Sequence, residues 1–76
     1  MSEPRTIAVL RKNNTEEVRV RVTESGGCKL VDLRVFTPNA RSEGEPLPTR
    51  NGICLVRAKL PDLIKALQAA EREGAR

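Results

Sequence analysis

The chain has 76 residues, with 14 Lys and Arg against 10 Asp and Glu, no histidine, tyrosine or tryptophan, and a single phenylalanine. This length accommodates one domain, residues 1–76, and a chain so short buries only about 60% of the surface its unfolded form exposes. Two cysteines distant in sequence and no histidine exclude a structural zinc, no cofactor site is expected, and self-association becomes the expected source of further stability.

Residues 1–5 form a polar tail ahead of an expected ordered core at 6–73. Residues 6–12 are an apolar stretch that stops at Asn13-Asn14, a good turn pair, and they predict a first strand. From Glu17 onward Val18, Val20 and Val22 alternate with Arg19 and Arg21, so a second strand carries three valines on one side and two arginines on the other. Ser25-Gly26-Gly27 supplies the positive φ angles of a tight hairpin, and residues 28–37 predict a third, longer strand.

Residues 38–51 hold three prolines and Gly44, and they predict a loop. Residues 52–56 return as a short buried strand, with Cys54 as a small buried hydrophobe. The period then changes: Leu60, Leu63, Ile64, Leu67 and Ala70 recur at steps of three and four, which is one amphipathic helix with Pro61 in its first turn and Gly74 at its end. The expected class is α+β, in the order β-β-β-β-α. Ala66 and Ala69 widen the apolar stripe beyond what a small sheet needs, so the same residues predict a homodimer interface.

The basic excess lies in residues 1–60, where eleven Lys and Arg face seven Asp and Glu; residues 61–76 hold three of each. General acid-base chemistry at neutral pH has no histidine or tyrosine to use, and no enzyme activity is expected. Gly26-Gly27 fits a hairpin turn better than a phosphate-cradling loop. No secretory-type segment precedes the domain and no apolar run is long enough to cross a bilayer, so a cytoplasmic location with reduced Cys28 and Cys54 is expected. Arg19, Arg21 and Arg34 on the sheet admit two readings: guanidinium forks open to phosphates, or cross-strand pairs with Asp32 and Glu17.

Residues 20–34, Val-Arg-Val-Thr-Glu-Ser-Gly-Gly-Cys-Lys-Leu-Val-Asp-Leu-Arg, followed by Leu-Pro-Thr-Arg-Asn-Gly-Ile-Cys-Leu at 47–55, resemble the transcriptional coactivator family known as positive cofactor four. The resemblance spans roughly residues 17–70. It implies a curved four-stranded antiparallel sheet with one face covered by the C-terminal helix, two protomers joined largely through their helices, and channels for single-stranded DNA on the open sheet face. Arg34 and Arg50 fall on positions that contact the DNA backbone in the family, and Gly52 on the turn that opens the fourth strand. Two positions that carry base-stacking aromatics in the family are Ser25 and Thr37 here, and several of its basic positions are Thr23, Gly26, Cys28, Leu47 and Asn51. Stacking on an aromatic contributes roughly 1–3 kcal/mol per base, so these departures weaken the expected affinity.

The resulting expectation is a homodimer that binds single-stranded DNA, with RNA a second candidate, largely without sequence preference and in contact with the transcription machinery. In a bacterial host it would be nucleoid-associated. The residues expected to carry binding are Arg19, Arg21, Lys29, Arg34, Arg41 and Arg50. The alternative is a dimerisation or protein-interaction module on the same fold that has lost DNA binding.

Overall fold

The computed structural model describes residues 4–38 and 44–74. Four strands, β1 (Arg5–Arg11), β2 (Glu17–Ser25), β3 (Cys28–Thr37) and β4 (Leu47–Val56), form one antiparallel sheet in sequential order. A 3-10 turn (Arg57–Lys59) leads into a single helix, α1 (Leu60–Gly74).

The turns follow their residue chemistry. Asn13 Oδ1 accepts from the backbone N–H groups of Thr15 (2.9 Å) and Glu16 (2.8 Å), an Asx-type closure between β1 and β2. Gly26 (φ 56°) and Gly27 (φ 79°) both take positive φ, the geometry of a two-residue hairpin whose twist matches its strands.

Three boundaries differ from the sequence reading, one of them the end of β1, which stops at Arg11 and leaves Lys12 out. Arg5, placed in the polar tail, already belongs to β1. Residues 47–51, assigned to the loop, belong to β4, and Pro48 sits inside that strand. A proline is tolerated there because β4 is an edge strand with an unpaired side. The ladder also shifts register between Arg34 and Phe36, so residues 49–51 bulge out against Val35. Thr49 holds the bulge: its Oγ1 donates to the Val35 carbonyl (2.8 Å) and accepts from the Asn51 N–H (3.1 Å). Of the expected loop, residues 39–43, including Arg41, lie outside the described residues.

Cross-strand partners point to the same side of a sheet, so the register divides the strands into two faces. Val18, Val20 and Val22 pair with Val35, Leu33 and Val31, and Leu55 and Ile53 extend this apolar face onto β4. The opposite face carries Arg19, Arg21, Asp32, Arg34 and Phe36. Cys54, expected to be buried, is exposed on that second face, because it pairs with Asp32 on the edge strand rather than with the valines.

The helix corrects a further expectation: within one chain it does not cover its own sheet. Beyond the 3-10 turn before it, α1 has no extensive contact with any strand. Leu60 and Leu63 are half-buried, while Ile64 and Leu67 are 46% and 56% exposed. Among the described residues, Val31 and Phe36 are the buried hydrophobic side chains. The apolar sheet face and the apolar helix stripe are thus both left open.

Candidate nucleic-acid interface

The arginine face is assembled by register. Arg19 stands opposite Arg34, and Arg21 opposite Asp32, on the two central strands. Like charges directly opposite one another destabilise a sheet unless counter-charges intervene. Asp32, 5% exposed, supplies the main one. Its Oδ2 accepts from Arg21 Nη2 (2.6 Å) and Nε (3.1 Å), and its Oδ1 accepts from Arg34 Nη2 (2.7 Å). Burial is the largest single influence on the Asp32 carboxyl and pushes its pKa up. The hydrogen bonds and positive charges of Arg34 and Arg21 together outweigh it, so the group is held below the ordinary carboxylate value. The same bond to Asp32 raises the Arg34 pKa above its usual value, against the opposing effect of burial.

Arg34 also reaches across to β4. Its Nη1 donates to the carbonyls of Arg50 (3.1 Å) and Thr49 (3.4 Å), which ties the bulge to the central strand. This close approach requires Gly52. A Cβ there would lie 2.2 Å from the Leu33 carbonyl oxygen and 3.2 Å from Arg34 Cζ, at a φ of 152° that side-chain-bearing residues rarely adopt.

Arg19 is ion-paired through Nε to Glu17 on its own strand. Its Cζ lies 4.4 Å from the centroid of the Phe36 ring, and Arg21 Cζ lies 5.1 Å from it. Two guanidiniums therefore clad the one aromatic of the chain, which is 5% exposed. The sequence reading did not anticipate this layer. Its signal was parity: Phe36 shares the face of Asp32 and Arg34, and the β2 register brings it beside Arg19 and Arg21.

Of the six expected binding residues, Arg19, Arg21 and Arg34 come together on one face, with Arg50 exposed at the adjoining β4 edge. Lys29 pairs with Glu24 on the apolar side, so it stands apart from them. Arg41 lies outside the described residues. Of the two readings of the arginines, the pairing with Asp32 and Glu17 is seen, though only Arg21–Asp32 runs across strands; Arg19–Glu17 and Arg34–Asp32 lie within β2 and β3.

The family model described as Transcriptional Coactivator p15 (PC4) matches residues 12–66. The chain belongs to the PC4 family. Among solved structures, it is similar to a PC4 homologue of Burkholderia pseudomallei in its orthorhombic crystal form, at 30% identity over 96% of each chain and a TM-score of 0.83. The tetragonal form of that protein matches at 29% identity and a TM-score of 0.81, over 91% of this chain and 98% of that one. A bacteriophage T5 homologue of the eukaryotic transcription coactivator PC4, implicated in recombination-dependent DNA replication, shares the fold at 21% identity and a TM-score of 0.73, over 97% of this chain and 83% of that one. No curated protein matches the chain significantly. PC4 membership supports a DNA-binding, coactivator-like role, and it accounts for the order of four strands and a terminal helix.

Proposed function

We propose that this chain is a homodimer that binds single-stranded DNA largely without sequence preference, as a transcription-cofactor-like protein. The observation that carries this reading is the pre-assembled arginine face, whose guanidiniums are fixed before any ligand arrives. Fixed donors lose little conformational freedom on binding an anionic strand. The paired geometry also limits the charge available. Arg19, Arg21, Arg34 and Arg50 stand against Glu17 and Asp32, leaving an excess of two positive charges per protomer.

Homodimerisation is supported by the two open apolar surfaces. A chain with only Val31 and Phe36 as buried hydrophobics among the described residues gains by apposing its helix stripe and sheet face to those of a second copy, as two-fold symmetry allows. A cytoplasmic location and contact with the transcription machinery go with this proposal, and no catalytic step is assigned to it.

The deciding measurement is an anisotropy titration of labelled oligo-dT across salt concentrations, with RNA and duplex DNA of equal length alongside. Salt-dependent binding of the single strand supports the reading, and no binding at low salt overturns it. One observation favours the second reading, an interaction module that no longer binds DNA: Asp32 already occupies donors of both Arg21 and Arg34.

A further inference from the structure

We propose that Arg19 is a base-stacking platform rather than a phosphate ligand, taking a nucleobase of the bound strand on the outward face of its guanidinium. This deepens the single-strand reading above and rests on it.

A guanidinium presents two different surfaces. Its N–H edges suit phosphates, and its planar faces suit aromatic rings and bases. In Arg19 the edge carries the Glu17 carboxylate on Nε, and that negative charge repels an approaching phosphate. Arg19 Cζ lies over the Phe36 ring, 4.4 Å from the centroid. The side chain keeps 22% of its surface exposed, on the side of the sheet where the strand would run. The bond to Glu17 and the contact with Phe36 together restrain the guanidinium, so stacking costs little further ordering.

The position of the layer fits this role. Arg19 lies opposite Arg34, two residues into β2, while Ser25 and Thr37 at the ends of β2 and β3 offer no ring to a base. An uncharged flat group is the ligand chemistry that an already-neutralised guanidinium on an aromatic floor selects. Arg34 and Arg50 are left to hold the backbone.

The test compares labelled oligo-dT with an abasic tetrahydrofuran strand of equal length, by anisotropy at low salt. The wild type should favour the base-bearing strand by about fivefold or more, the low end of what one stacked base contributes. Arg19→Lys keeps the charge but loses the plane, so it should bring that ratio close to one with little change in affinity for the abasic strand. Glu17→Gln should leave the ratio intact and steepen the salt slope of abasic binding by about 0.7, one phosphate's share. Should Arg19→Lys melt below the assay temperature, Arg19→Gln, which keeps a planar group, should retain part of the ratio. An unchanged ratio in the Arg19 variants overturns the platform. Equal wild-type binding of both strands also overturns it and leaves the single-strand reading standing, whereas binding of neither strand overturns both.

Discussion

Arg19 and Arg34 face each other directly across β2 and β3, two cations on neighbouring central strands with an acidic side chain beside each. The arrangement keeps positive charge concentrated on one face of the sheet without letting it force the strands apart. It also makes the stability of the sheet depend on the groups that are candidates for ligand binding.

Asp32→Asn should therefore destabilise the fold by roughly 2–3 kcal/mol, less than for a fully buried pair because the arginines remain about a fifth exposed. The pH dependence follows from the lowered Asp32 pKa. A carboxyl whose folded pKa lies below its unfolded value of roughly 3.9 contributes fully above that value and loses its contribution as pH falls through the folded pKa. Denaturation midpoints measured from pH 7 down to pH 2 should show the gap between wild type and Asp32→Asn narrowing below about pH 4. A gap that stays constant over this range would count against the ion-pair account.

Arg34→Ala and Arg50→Ala should separate structure from binding. Arg50 is exposed at the sheet edge, so its loss should weaken single-strand binding uniformly across sequences and flatten the salt slope by about 0.7, with the melting temperature unchanged. Arg34 ties Asp32 to the Thr49 and Arg50 carbonyls, so its loss should also lower the melting temperature. The wild-type slope expected from an excess of two charges is about −1.4 per protomer, or about −2.8 for a strand that touches both copies. Equal thermal effects of the two substitutions would contradict the clamp assigned to Arg34.

Leu67→Asp places a charge at the centre of the exposed helix stripe. Light scattering at micromolar concentration should give about twice the chain mass for the wild type and the chain mass for the variant, with a lower melting temperature in the variant. A monomeric wild type would remove the dimer from the proposal.

Gly52→Ala should cost about 2–3 kcal/mol, because its Cβ would meet the Leu33 carbonyl oxygen at 2.2 Å. For a domain of this size that corresponds to a melting temperature lower by roughly 8–24 °C. An unchanged melting curve would show that β4 can move away from β3 at that point.

Much of this architecture was legible in the residues. The Val18 to Val22 alternation fixed the second strand and its two faces, Gly26-Gly27 fixed the hairpin, and the spacing from Leu60 to Ala70 fixed the helix. Pro48 misled because a proline signals a breaker locally, while its actual tolerance depends on whether the strand is at an edge, which is a property of the whole sheet. The Cys54 environment failed for a similar reason: an apolar run on an edge strand cannot by itself say which of its members face the valines. Asp32 and Glu17 were visible as partners for the arginines, but the Phe36 layer needed the β2–β3 register before it could be seen.

The two edges of the sheet carry one more consequence. β1 breaks its ladder between Thr6 and Ala8, and β4 breaks its own at the bulge beside Pro48. An uninterrupted outer strand is a template on which further copies can add without limit, and such breaks remove the template. A protein that leaves so much apolar surface open is thereby barred from growing as a ribbon along its hydrogen-bonding direction. The faces are left as the surfaces on which the proposed dimer can close into a finite assembly.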